Sequence, residues 1–260
     1  MTEVTGFRSY VAIGDSFTEG VGDERDDGRV RGWADLVALG FALASDEPVL
    51  YANLAIRGRK LKPLLDEQLQ PAIQLRPELI SINGGGNDIL RPRVQVESIA
   101  RLLLDSAAEA VAAGSHVLLL SGANPSRNMP LGSVFSRRGT ELDDAVRAGV
   151  PADGVTFVDN WVDEALGDIR YWSADKLHLN PLGHARVASN VLTELQVPVP
   201  AEWGIAEVET APAGERGRGT FEYYRRFVLP WVGRRLTGRS SGDGRTAKIA
   251  ELIPVDPTQA

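Results

Sequence analysis

The sequence predicts an α/β protein. The expected architecture is a three-layer α/β/α sandwich on a five-stranded parallel sheet in flavodoxin-like order, with a C-terminal extension. Three observations carry this. Five short apolar runs alternate with helix-length amphipathic segments, which implies parallel pairing through right-handed crossovers. The runs are apolar throughout, as strands are when helices cover both faces. Polar or glycine-rich clusters follow four of them, at the strand ends where such sheets bind ligands. The 260 residues accommodate one such domain, expected over 1–197, and an extension over 198–260.

In chain order, residues 9–13 (SYVAI) read as a buried strand that ends at Gly14-Asp15-Ser16. Residues 32–44 read as a helix and 49–54 (VLYANL) as the second strand. Residues 61–75 are helical with Pro63 and Pro71 as interruptions. Residues 78–83 (ELISIN) form the third strand, which Gly84-Gly85-Gly86 prevents from continuing. Residues 96–113 are the clearest helix. Ile99, Leu102, Leu103, Ala107, Ala110 and Val111 share one face, and Gly114 stops it. Strand four is 116–120 (HVLLL), 133–148 is helical, and strand five is 155–158 (VTFV). Pro181, in a first helical turn, opens the closing helix over 182–195.

Composition narrows the chemistry. Hydrophobic residues make up 43% and charged residues 24%, which excludes a disordered or collagen-like chain. No cysteine is present, so thiolate catalysis, disulfides and Cys-ligated zinc or iron–sulfur centres are excluded. Only His116, His178 and His184 are available to a mechanism that needs histidine. The net charge of −7 argues against bulk nucleic-acid affinity. It conceals a net +7 over residues 216–248 and an acidic first 215 residues at −12. No signal-like apolar segment and no run of about 18 apolar residues is visible, so a cytoplasmic protein is expected.

The strand-end clusters suit acyl transfer. A serine hydroxyl is a weak nucleophile until a base removes its proton, and His178 is the candidate base for Ser16. Asp175, three residues earlier, is placed to orient the imidazole and stabilise its cation. Backbone N–H groups of Ser16 and Gly58 and the side-chain amide of Asn87 are candidate oxyanion donors.

These residues resemble the SGNH hydrolases, also called GDSL esterases/lipases, over roughly residues 9–197. Gly14-Asp15-Ser16 matches the first block of that family, Gly58 the second, Gly85-x-Asn87-Asp88 the third and Asp175-x-x-His178 the last. The resemblance implies a catalytic triad of Ser16, His178 and Asp175, and an oxyanion hole from Ser16, Gly58 and Asn87. It implies a small-molecule ester substrate and no metal or organic cofactor. Phe17 stands where the family name has leucine, a change expected to alter packing and leave the triad intact. A loop-anchoring role is expected for Asp88. The reading is a serine esterase acting through an acyl-enzyme on small acyl or O-acetyl esters. Open alternatives are a lysophospholipase or acyl-thioester hydrolase on the same triad, or a non-catalytic binding or scaffold module.

Each signal has a plainer rival. Ser16 alone reads as a turn residue; His116 and His184 read as structural. His178 and His184 lack the further ligand spacing that a metal site needs. The glycines at 84–86 match no phosphate-loop pattern. Gly238-Arg239-Ser240-Ser241-Gly242 fits the nucleophile-elbow pattern, but no histidine follows it in the chain, so it reads as a loop. Residues 220–236 read as a basic amphipathic helix interrupted by Pro230. Docking on the acidic body, peripheral contact with an anionic membrane, a lid and an oligomer contact all remain open for it. The oligomeric state is left open.

Overall fold

The computed structural model describes residues 6–91, 93–128, 132–203, Arg225 and 240–259. Five parallel strands form the body of the sheet: β1 (Ser9–Ile13), β2 (Leu50–Asn53), β3 (Leu79–Ile82), β4 (His116–Leu120) and β5 (Val155–Val158). A sixth, β6 (Ile249–Pro254), adds antiparallel to β2 and gives the order β5-β4-β3-β1-β2-β6. The parallel part has the expected flavodoxin-like order; the expected count of five falls one short. The reason is local. The IAELIP run of β6 has no continuous apolar stretch, and its side chains are half-buried or exposed. That is edge-strand character, and Pro254 at its end is tolerated there because the strand has an unpaired side.

Among the described residues the α-helices are α1 (Ser16–Glu19), α2 (Trp33–Leu43), α3 (Leu61–Gln74), α4 (Gly86–Ile89), α5 (Val96–Ala112), α6 (Gly132–Gly149) and α7 (Pro181–Glu194). Alternation along β1 divides the core into two layers. Tyr10 and Ala12 join Trp33, Phe41, Val187 and Leu192 of α2 and α7. Val11 and Ile13 join Leu64 of α3, Leu103 of α5 and Val146 of α6. Both faces are covered, which is why every strand of the parallel set is apolar. Pro63 lies in the first turn of α3, where its missing N–H costs nothing, and Pro71 lies in the last turn, so the helix runs through both.

The chain goes from β1 outward to β2, then returns to β3 on the other side of β1. That reversal opens a crevice beyond the carboxyl ends of β1 and β3. The parallel ladder continues past the strands: Leu54 N–H donates to the Ala12 carbonyl, Ile56 N–H to Gly14 and Asn83 N–H to Ile13. The loops after β1, β2 and β3 are thereby held side by side. No helix among the described residues is long and apolar enough to cross a membrane. The amphipathic helix expected over 220–236 lies, Arg225 aside, outside the described residues.

Candidate active site

The first loop turns at Gly14. Gln68 of α3, buried in the core, clamps that residue on both its backbone groups: Gly14 N–H donates to its Oε1 at 2.8 Å and its Nε2 donates to the Gly14 carbonyl at 3.0 Å. Asp15 then caps α1 by accepting from Phe17 N–H at 3.1 Å. Ser16 is the first residue of this short helix, so its N–H has no partner four residues back. Phe17 packs beside Trp33 and the ring of His184.

The last loop brings His178 to Ser16 from 162 residues away, with Nε2 at 3.1 Å from the serine Oγ. On the other side of the ring, Nδ1 lies 2.6 Å from Asp175 Oδ2. An ionised carboxylate only accepts, so Nδ1 carries the proton and Nε2 presents its lone pair to the hydroxyl. Asp175 Oδ1 meanwhile accepts from Ser173 Oγ, Leu177 N–H and His178 N–H at 2.7, 2.9 and 3.0 Å. Burial opposes the charge on Asp175. The hydrogen bond and charge of His178 and the backbone donors outweigh it and hold the carboxyl well below the usual range. Lys176, at φ 58°, makes the tight turn that lets Asp175 reach its neighbour three residues on.

Gly58 and Asn87 come from the second and third loops. Gly58 sits at φ +74°, in the left-handed region that glycine adopts without penalty. Arg57 beneath it is fixed by Glu19 of α1, which accepts from the Arg57 N–H at 2.6 Å and from the guanidinium at 2.6 and 2.8 Å. Asn87, in α4, uses its amide Nδ2 twice, donating to Asp15 Oδ2 at 2.8 Å and to the Arg59 carbonyl at 3.0 Å. The amide faces the nucleophile loop, but a third acceptor has to share or displace one of these bonds. Burial raises the Asp15 carboxyl to about 6, against the opposing pull of Phe17 N–H and the nearby His178. Asp88 Oδ2 accepts from Leu61 N–H at 2.8 Å and so ties α4 to the start of α3.

The other histidines have structural partners. His184 is fully buried in α7; its Nδ1 accepts from Trp33 N–H at 3.2 Å and its Nε2 donates to the Val21 carbonyl at 3.3 Å. Burial lowers it to about 3. His116 pairs with Thr156 Oγ1 at 2.8 Å and stacks on Phe7, and partial burial lowers it too. Among the described residues no group of three or more His, Asp or Glu side chains is arranged to hold a metal ion.

The structure thus brings Ser16, Gly58, Asn87 and His178 to the lining of one cavity, with Asp175 behind His178. The cavity holds about 330 Å³ and includes a mainly apolar recess walled by Leu103, Leu119, Phe135, Leu142, Val146 and Phe157, with Ser121 and Asp143 also in the lining. Sequence reasoning missed three contributors. Gln68 reads as one more polar position on an amphipathic helix, with nothing local to mark it. Ser240 and Ser241 line the cavity as well, and only their non-local position reveals it.

A sequence model of the GDSL-like lipase/acylhydrolase family matches residues 12–186. No curated protein matches the chain in sequence. Among solved structures, the chain is similar to an acetylxylan esterase from Geobacillus stearothermophilus, at 19% identity and TM-score 0.58, covering 74% of this chain and 95% of that one. It is similar to a lipase/acylhydrolase from Enterococcus faecalis, at 19% identity and TM-score 0.57, covering 74% and 98%. It also resembles a psychrotrophic esterase from Pseudoalteromonas sp., at 19% identity and TM-score 0.53, covering 73% and 97%. At these identities the structural likenesses speak for the fold; the family match spans two-thirds of the chain and speaks for more. This chain belongs to the GDSL-like lipase/acylhydrolase family and is a carboxylic ester hydrolase.

Proposed function

We propose that ester cleavage proceeds through an acyl-enzyme on Ser16. The observation that carries this is the line from Ser16 Oγ through His178 to Asp175, with spacings of 3.1 and 2.6 Å. His178 Nε2 takes the hydroxyl proton as Oγ attacks the ester carbonyl, and returns it to the departing alcohol. Asp175 fixes the tautomer and stabilises the imidazolium while staying ionised. The Ser16 and Gly58 N–H groups and Asn87 Nδ2 stabilise the tetrahedral oxyanion, Asn87 by yielding the bond it makes to the Arg59 carbonyl or to Asp15. Each such donor is worth about 2.7–4 kcal/mol of barrier. Water then attacks the acyl-enzyme with His178 as base.

The expected substrates were small acyl or O-acetyl esters, with longer acyl esters or thioesters as the rival. An acetyl group needs only the mouth beside Ser16. The apolar recess favours the rival reading, because an alkyl chain laid against Leu103, Phe135 and Phe157 leaves water. The test is hydrolysis of p-nitrophenyl esters from acetate upward by wild type and Ser16→Ala. Activity should fall by about 10⁴-fold or more in the variant. Retained turnover in purified Ser16→Ala would remove Ser16 from the mechanism.

A further inference from the structure

The segment that the family match does not reach returns to the site. β6 pairs along β2, with Tyr51 opposite Ile253 and Asn53 opposite Ile249. Just before it, the Lys248 ammonium is inserted between α1 and α2. It donates to the Glu19 carbonyl at 2.7 Å, to the Val30 carbonyl at 3.2 Å and to Asp35 Oδ2 at 2.6 Å. This anchor carries the preceding turn onto the Gly58 loop. The turn is internally fixed: Ser240 N–H donates to Asp243 Oδ2 at 2.9 Å, and Gly242 N–H to Ser240 Oγ at 3.1 Å.

The fit between turn and loop is close on both sides. A Cβ on Gly58 would stand 2.5 Å from Ser240 Oγ and 2.8 Å from Ser241 Oγ. A Cβ on the buried Gly242 would overlap the Arg57 carbonyl oxygen and approach Ile56 Cγ2 at 2.8 Å. Arg59 faces Asp243 across the same seam at 3.7 Å. The Gly58 peptide is therefore held from below by the Glu19–Arg57 pair and from above by residues 240–243. Ser240 and Ser241 border the same cavity as Ser16 and His178.

We propose that residues 240–243 are a working wall of the ester site. Gly242 and Ser240 act as positioning residues that keep the Gly58 N–H in register with Ser16. Ser241, exposed at the rim, contacts the alcohol half of the ester. The assignment of halves follows from polarity: the hydrocarbon acyl chain takes the apolar recess, which leaves the hydroxyl-lined side for the alcohol. The selected alcohol is accordingly one that carries hydroxyl groups. This rests on the reading of Ser16 as nucleophile and Gly58 as oxyanion donor.

The test uses the full chain with two esters of one acid, methyl butyrate and glycerol monobutyrate. Gly242→Val should lower kcat on both by about 10²-fold, the cost of misplacing a catalytic group by about 1 Å, with KM little changed. A merely structural turn would shift the melting temperature without that kcat-specific loss. Ser241→Trp, on the exposed rim, should lower kcat/KM for the glycerol ester about 10-fold more than for the methyl ester. If Gly242→Val does not fold, Ser241→Trp alone decides. Wild-type kinetics on both esters in folded variants would overturn the wall while leaving Ser16 in place. Turnover that survives in Ser16→Ala overturns both readings.

Discussion

Burial and hydrogen bonding give His184 and Asp15 opposite pH behaviour, although both flank the Ser16 turn. His184 is neutral in the fold and lowered to about 3, whereas an unfolded histidine protonates near 6.5. Its contribution to stability is complete above pH 6.5 and is lost as the pH falls towards 3. Asp15, raised to about 6 from 3.8, has the reverse sign: stability is lost as the pH rises from about 4 through 6. His184→Gln keeps an acceptor and a donor near the Trp33 N–H and Val21 carbonyl without the titration. In urea unfolding, the stability lost by wild type relative to this variant between pH 7 and 4.5 should be about 2–3 kcal/mol. Parallel pH profiles would refute the assignment. Gln68 gives a second test at this scale. Gln68→Leu leaves the buried Gly14 N–H without its partner and leaves the Gly14 carbonyl only the bond from Ile56 N–H, at about 1–3 kcal/mol in total. A urea midpoint within error of wild type would contradict the clamp.

At the scale of elements, the strands and long helices were legible because their signals are local. Of the expected α5 stripe, Ile99, Leu103, Ala107 and Ala110 are buried as the period requires, while Leu102 and Val111 at its edges are half-buried. Strand β2 was expected over 49–54 and spans Leu50–Asn53, a difference at frayed ends. The short helices α1 and α4 were not expected, because four residues hold barely one helical turn and show no periodicity. They are the elements that present Ser16 and Asn87. β6 escaped notice for a related reason: an edge strand needs no apolar run. Its anchor is testable. Lys248 and Asp35 are 16% and 19% exposed at their side chains. Lys248→Met keeps the apolar stem but removes the charge and three hydrogen bonds. The expected cost is about 1–3 kcal/mol by thermal or urea unfolding. No loss would mean that β6 is held by strand pairing alone.

At the scale of the whole molecule, the helix layers cover opposite faces of the sheet, and the mainly apolar recess lies between strands β4 and β5 and α6. Leu142 of α6 borders it. Leu142→Trp should fill the recess, cutting kcat/KM for octanoate at least about 10-fold while sparing acetate, since each methylene in an apolar pocket is worth about 10–200-fold. Equal loss on both esters would place the acyl chain elsewhere.

The sequence by itself determined the α/β alternation, the polar strand-end blocks and the short set of candidate residues for acyl transfer. Each depends on neighbours within a few positions, through hydrophobic period, glycine and proline punctuation and residue chemistry. Only the tertiary structure decided that His178 meets Ser16 across 162 residues, that Gln68 clamps Gly14, and that residues 240–243 close on Gly58. These contacts are set by backbone paths through the sheet. No periodicity in the sequence records where two distant loops come to lie side by side.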